Sequence, residues 1–388
     1  MIKTDAQKKA LTLVIHSLSA GGAEKIMSIL ANYWADEGNR VTLITMADTP
    51  PFYALNKRVN FRPLGLAEAS KNWLVAMFNS LKRLLILHRA IVVSNPDVVI
   101  SFMDRQNVLT LLATRGLKLP VVVCEHTEPG RAALSKIWQK LRFWTYPVSS
   151  AVVVLTDTAQ NFFPANIRKK TFVIPNPAIL PDSFEVSKQV SENSSPKIVA
   201  MGRLIPLKGF DFLIKAFSSI SSQHPDWTLE IWGEGAERSS LEALIKQFGI
   251  ESQVFLRGFT SRPLEVLKQA DFLVLSSHYE GFPTVIWEAM ACGLPVVSFD
   301  CPSGPGAIIR DGVDGILVPN GNVEALAEAM SNLMYSEAER RRLASRAPEV
   351  LERFGLDRVM RRWEALFQEV IPAYNSSDSN IKSLETVA

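Results

Sequence analysis

Two glutamates, Glu280 and Glu288, stand eight residues apart around Gly281-Phe282-Pro283-Thr284-Val285. Gly281 lets a ligand come close to the main chain, and Pro283 suits the first position of a helix, where its missing N–H is no loss. Glu280 then precedes the helix and Glu288 lies one to two turns inside it, so they hold different parts of one ligand rather than forming an acid/base couple. Thr284 and Val285 open the helix with free N–H groups at the positive end of its dipole, a seat for phosphate. Upstream, Arg203 in Gly202-Arg203-Leu204 and Lys208 in Lys208-Gly209 flank a strand-to-helix turn. Arg binds a diphosphate as a fork and Lys as a point charge. His126 closes a strand in Glu125-His126-Thr127, a position from which an imidazole faces a ligand edge. Gly22 lies in Ser19-Ala20-Gly21-Gly22-Ala23-Glu24, where paired glycines permit a backbone-lined anion pocket.

Other chemistries are excluded. There is no G-x-G-x-x-G fingerprint (Gly233-Glu234-Gly235 is not one) and no G-x-x-x-x-G-K-[ST] loop. No Asp-x-Asp pair occurs, so the commonest sequence sign of a metal-held diphosphate is missing, and charge neutralisation falls to Arg, Lys and a helix end. The three cysteines, Cys124, Cys292 and Cys301, form no C-x-x-C pair and read as reduced, buried thiols.

The elements that position these residues alternate regularly. Strands are expected at 11–16, 40–46, 59–63, 98–101, 121–125 and 151–155, with helices at 23–37, 72–93, 106–114 and 132–145. The rhythm restarts with strands at 198–201, 228–232, 254–257, 272–275 and 296–299 and helices at 209–222, 238–248, 263–268, 283–291, 323–334 and 337–344. Buried strands alternating with helices predict α/β architecture: two doubly wound parallel-sheet domains facing across a cleft, with ligands at the strands' carboxyl ends. The expected domains are 1–176 and 197–356, joined by a serine-rich linker at 177–196. A helix at 357–374 follows, and then a disordered tail at 375–388.

The chain has 388 residues, 47% of them apolar and 21% charged, an ordinary foldable composition. Its net charge of +3 argues against nucleic acid as a partner. That figure hides an asymmetry: residues 1–176 carry 22 Lys+Arg against 11 Asp+Glu, whereas 177–388 carry 20 against 28, giving +11 and −8. The start of the chain reads as a first strand rather than a signal peptide, and no apolar run is long enough to span a membrane.

Together these motifs resemble the retaining, nucleotide-sugar-dependent glycosyltransferases of family 4, with GT-B architecture. The most specific parts are Gly202-Arg203-Leu204 with Lys208-Gly209, Arg257-Gly258-Phe259, the E-x7-E pair Glu280 and Glu288, and Ala289-Met290-Ala291-Cys292-Gly293-Leu294-Pro295. The resemblance implies roles. Arg203 and Lys208 neutralise the donor diphosphate, and Glu280 with the backbone of Gly281 and Phe282 holds the donor sugar. Thr284 and Val285 give N–H groups to phosphate, Glu288 holds the ribose, and backbone at Gly258-Phe259 reads the base. Gly22 approaches the donor phosphate or the reacting centre, and His126 contacts the sugar from the opposite wall. The expected catalytic set is thus His126, Arg203, Lys208 and Glu280, with no metal and no cofactor beyond a UDP-sugar co-substrate. The implied mechanism is front-face displacement with retention, in which departing UDP accepts the acceptor's proton.

Cys301-Pro302-Ser303-Gly304-Pro305 resembles a stretch in bacterial members that transfer galactose or N-acetylgalactosamine to lipid-linked glycans. Gly306-Ala307 replaces the charged residue found next in many of them. The implied acceptor is a glycan or an undecaprenyl-diphosphate-linked glycan. The implied location is cytoplasmic, with attachment at the inner face of the plasma membrane left open. Lys71, Lys82, Arg89, Arg131, Lys136 and Lys140 are the cations suited to an anionic membrane surface, interleaved with apolar and aromatic residues on two helices, and Arg142 joins them on the second. A nucleotide-sugar epimerase of similar build and a non-catalytic glycan-assembly subunit are the alternatives. The intact Arg203, Lys208, Glu280 and Glu288 favour a transferase.

Overall fold

The computed structural model describes residues 8–66, 73–131, 134–180 and 195–371, the segment 73–80 by its backbone. Lys71, residues 181–194 of the expected linker and the expected tail at 375–388 lie outside the described residues. The chain divides into two compact units: Met1–Ile174 with Met360–Ala388, and Pro175–Val359.

The first unit holds strands β1 (Ala10–Ile15), β2 (Arg40–Thr45), β3 (Asn60–Pro63), β4 (Val98–Phe102), β5 (Val121–Cys124), β6 (Ala151–Val154) and β7 (Thr171–Val173). They form one sheet in the order β3-β2-β1-β4-β5-β6-β7, every pair parallel. β1, β4, β5 and β6 are buried along their whole length, as a sheet covered on both faces requires, and this explains their Val- and Ile-rich runs. Helix Trp73–Ser94 packs on Asp104–Ala113, which packs on Lys136–Thr145. The last helix, Leu356–Val370, brings Trp363 and Phe367 against Trp34, each with ring centroids 5.5 Å away, and Lys9 Nζ lies 2.8 Å from Glu364.

The second unit holds β8 (Lys197–Met201), β9 (Thr228–Trp232), β10 (Val254–Gly258), β11 (Phe272–Leu275), β12 (Val296–Asp300) and β13 (Gly315–Pro319). Their order is β10-β9-β8-β11-β12-β13, again all parallel. The core lies between this sheet and helices Phe210–Ile220, Arg238–Phe248 and Val323–Tyr335. In each sheet the strand order reverses once, between β1 and β4 and between β8 and β11. Ligands in doubly wound sheets bind at such a reversal.

Candidate active site

The residues following β8 and β11 meet at the second unit's reversal. Lys208 Nζ donates to Glu280 Oε1 at 2.5 Å, with the side chains 18% and 12% exposed. The contact depends on how the two loops are joined. Lys208 ends a single 3-10 turn, Pro206–Lys208, and Gly209 follows in the left-handed region at φ 58°. A Cβ on Gly209 would lie 2.2 Å from the Ser276 carbonyl oxygen, so only glycine fits. Ser276 Oγ donates to the Lys208 carbonyl at 2.9 Å, and the His278 N–H donates to the Leu207 carbonyl at 2.9 Å. Arg203, by contrast, is exposed and among the described residues makes no ion pair.

Beyond Glu280 the chain enters helix Thr284–Ala291. Pro283 caps it without a side-chain bond. The Ile286 N–H closes the first turn on the Pro283 carbonyl at 3.2 Å, so the N–H groups of Thr284 and Val285 point out of the helix end. Glu288 is buried one turn further on. Phe282 is buried, its ring edge-on to Phe354 at 5.3 Å. The loop after β12 presses on the same residues: a Cβ on Gly304 would lie 2.6 Å from Pro283 Cδ and 2.9 Å from Glu280 Cβ. Burial, and then the neighbouring Glu280 carboxylate, push the Cys301 thiol up to about 12, so it is an inert thiol at neutral pH.

Gly258 ends β10, and Phe259 follows, exposed. A cavity of about 380 Å³ opens there, lined by Trp232, Phe259, Thr260, Arg262 and Val266 among others. Glu230 lines it too, accepting from Arg257 Nη2 at 2.8 Å and from Trp232 Nε1 at 3.2 Å. Sequence reading passed over Glu230 and Trp232. Their i, i+2 spacing in a strand was the available signal, since it puts both on one face.

Gly22 and His126 belong to the first unit. Gly22 is the exposed first residue of helix Gly22–Asp36, with extended Gly21 as its cap. His126 follows β5 with its ring 3.9 Å from that of Phe102, and its Nδ1 is buried without a hydrogen-bond partner among the described residues. Burial lowers its pKa to about 3, so the ring is neutral across the physiological range. Glu125 is buried too. Burial raises its carboxyl to about 7, against the pull of Arg142 and the Tyr146 hydrogen bond.

Arg142 corrects the sequence reading: it is not on a basic face but inside the unit, 3.8 Å from Glu125, with Nη2 donating to the Pro129 carbonyl at 3.0 Å. The other expected membrane-facing cations among the described residues are exposed. Lys82 and Arg89 stand beside exposed Leu81 and Leu85. Arg131, Lys136 and Lys140 accompany exposed Ile137 and Trp144, and Arg115 lies 5.2 Å over the Trp144 ring. Among the described residues no helix is long and apolar enough to cross a membrane, and no group of three or more His, Cys, Asp or Glu could hold a metal ion.

The profile of Glycosyltransferase Family 4 matches residues 20–179, and that of Glycosyl transferases group 1 matches 182–350. The chain is built of a family 4 and a group 1 glycosyltransferase domain. It is a GT-B transferase of glycan biosynthesis. The chain is 28% identical over 361 residues to the Campylobacter jejuni GalNAc-alpha-(1->4)-GalNAc-alpha-(1->3)-diNAcBac-PP-undecaprenol alpha-1,4-N-acetyl-D-galactosaminyltransferase, covering 93% of this chain and 98% of that one. A 37% match over 229 residues to an exopolysaccharide phosphotransferase of Streptomyces coelicolor covers 58% of this chain but only 24% of that protein. Anabaena HepE, solved in complex with UDP and glucose, shares the fold at a TM-score of 0.75 with 20% identity, covering 93% of this chain and 99% of that one.

Proposed function

We propose that this glycosyltransferase moves a hexose or N-acetylhexosamine from a UDP-sugar to a glycan or undecaprenyl-diphosphate-linked glycan, with retention at the anomeric carbon and without a divalent metal. The observation that carries the reading is the Lys208–Glu280 contact at the β8/β11 reversal, beside a helix start whose N–H groups point outward. Lys208 and Arg203 take the diphosphate, with the N–H groups of Thr284 and Val285. Glu280 and the backbone of Gly281 and Phe282 take the sugar hydroxyls. Glu288 takes the ribose, and the base lies at Gly258-Phe259 beside the cavity. Gly22 takes the donor phosphate or the reacting centre, and His126 takes the sugar. The C1–O bond to the diphosphate breaks as the acceptor oxygen bonds to C1 on the same face. The acceptor's proton passes to the departing phosphate oxygen, so no protein base is required. Stabilising the leaving diphosphate is then the main catalytic term. A neutral His126 serves as a hydrogen-bonding partner of the sugar, not as a charged acid.

The UDP in the Anabaena structure and the lipid-linked acceptor in the Campylobacter enzyme's name support this choice of substrates. The test is UDP release across a panel of UDP-sugars, with and without lipid extract. Arg203→Ala and Lys208→Ala should each lose turnover by about 10²-fold or more, the scale of removing one charge-stabilising donor. Near-normal turnover in both, or activity that a chelator abolishes and Mn²⁺ restores, would overturn it. The acceptor side is proposed to rest on an anionic membrane at the cytoplasmic face, through Lys82, Arg89, Arg131, Lys136 and Lys140 with their apolar neighbours.

A further inference from the structure

Glu125 and its neighbours form a brace around the residue before His126. The Cys124 carbonyl accepts from the Met103 N–H at 3.1 Å and from Asn107 Nδ2 at 2.9 Å, and the Glu125 N–H donates to the Val153 carbonyl at 2.9 Å. The main chain before His126 is thus tied to both neighbouring strand ends. The Glu125 side chain is fully buried, and Tyr146 Oη donates to its Oε1 at 2.5 Å. Asn107 Nδ2 also donates to Tyr146 Oη at 3.0 Å, and the Arg142 guanidinium stands 3.8 Å from the carboxylate. The platform under the imidazole is set from the same place. Phe102 is followed by Met103, a side-chain-bearing residue at φ 77°, whose carbonyl accepts from the Asn107 N–H at 2.8 Å. Backbone strain of this kind persists only where the surroundings impose it.

Stability alone does not account for a carboxylate here. A buried ion pair is commonly no better than apolar residues of similar volume. Glu125 Oε2 and Arg142 Nε and Nη1 also lack hydrogen-bond partners among the described residues. We propose that Glu125, gripped by Tyr146 and Arg142, is a positioning residue that fixes the His126 ring on Phe102 for the transfer step. The proposal rests on the assignment of His126 to the donor sugar. The charged and titratable groups facing Glu125 are Arg142, Tyr146, Asp104 and Glu128, with Cys124 and His126 as chain neighbours.

The test measures UDP release by the full chain, using whichever of UDP-galactose and UDP-N-acetylgalactosamine the wild type turns over. His126→Ala, Glu125→Gln, Tyr146→Phe and the double variant His126→Ala/Tyr146→Phe are compared as kcat, KM and pH profile. Positioning predicts that Glu125→Gln and Tyr146→Phe lower kcat by about 10-fold or more with donor KM within about threefold, since small misplacements of a reacting group cost up to about 10²-fold. The double variant should be no slower than His126→Ala alone. Glu125→Gln should erase an inflection of kcat near pH 7. Tyr146→Phe should move that inflection to higher pH, because the lost hydrogen bond favours the carboxylate. A His126→Ala chain with wild-type turnover overturns the His126 assignment, and the proposal with it. An impaired His126→Ala beside Glu125→Gln and Tyr146→Phe variants of wild-type kcat and pH profile overturns the positioning role alone. If Glu125→Gln does not fold, Tyr146→Phe, which deletes a single oxygen, decides by the same criteria.

Discussion

Replacing Glu280 by Gln should tighten UDP and slow transfer, two effects of opposite sign from one substitution. Lys208 is engaged by Glu280 at 2.5 Å, so a diphosphate that takes the ammonium must draw it away from a carboxylate. At an effective dielectric of about 20 the gross attraction at this distance is about 7 kcal/mol, most of it offset by desolvation of both groups. Exposed pairs retain about 0.2–1 kcal/mol, whereas breaking a fully buried pair costs about 3–5 kcal/mol. With side chains 18% and 12% exposed, the Lys208–Glu280 pair falls between these limits, at about 2 kcal/mol. Releasing Lys208 should therefore lower the UDP dissociation constant by about 30-fold. Transfer should nevertheless fall by about 10²-fold, because the sugar loses its charged partner. Calorimetric titration with UDP and initial rates of UDP release read the two effects separately. The control is the same substitution in a Lys208→Met background, where it should change UDP affinity by less than about threefold. An unchanged or weaker UDP affinity in Glu280→Gln would refute the reasoning. So would an equal gain in the Lys208→Met background, since the benefit would then be mere loss of a like charge.

Gly209→Ala forces a Cβ to within 2.2 Å of the Ser276 carbonyl at φ 58°, and should lower stability by about 2–4 kcal/mol, read as a fall in the unfolding midpoint with UDP affinity weakened alongside. Glu125 and His126 should give opposite pH slopes. The stability Glu125 contributes is present below about 4.5 and lost as pH rises through about 7, whereas His126's is present above about 6.5 and lost as pH falls toward about 3. Urea midpoints between pH 4.5 and 6.5 should therefore rise with pH in Glu125→Gln, fall in His126→Phe and stay flat in the wild type; parallel profiles would contradict the two shifts. Leu85→Glu and Trp144→Glu should each reduce flotation with anionic liposomes without altering the unfolding midpoint, since both side chains are already exposed.

The order of elements was legible because a sheet buried on both faces writes itself as Val/Ile runs between amphipathic stretches. The helix expected at 283–291 is Thr284–Ala291, and its start was readable from Pro283, which suits the entry to a helix. Two strands escaped notice. Thr171–Val173 is three residues long, and Gly315–Pro319 offers only Ile-Leu-Val between turn residues, too short a run for periodicity to register. What local pattern could not show were pairings across the chain. Arg142 looked like one cation of a basic helix face, but its partner is Glu125, 17 positions earlier on a strand end. Likewise Lys208 and Glu280 each stand out in a local motif, whereas their mutual ion pair across 72 positions depends on β8 and β11 lying side by side. The neutrality of His126 follows from burial, which its sequence neighbours do not reveal.

The uneven charge then separates two kinds of binding. Residues 177–388 carry −8, so at long range they repel a UDP-sugar rather than attract it. Salt at about 0.1 M screens such fields beyond about 10 Å. On the proposed assignment, donor capture must therefore come from contacts within a few ångströms: Lys208, Arg203 and the N–H groups at the Thr284 helix start. Residues 1–176 carry +11, with exposed cations on two helices, and there the proposed attraction to an anionic surface would be long-ranged and open to screening. Raising salt from about 50 to 500 mM should accordingly change UDP affinity only a fewfold while abolishing liposome flotation. If both interactions collapse together, the donor is held by the general field and not by the local seat, and the roles given to Lys208 and the helix start would have to be withdrawn.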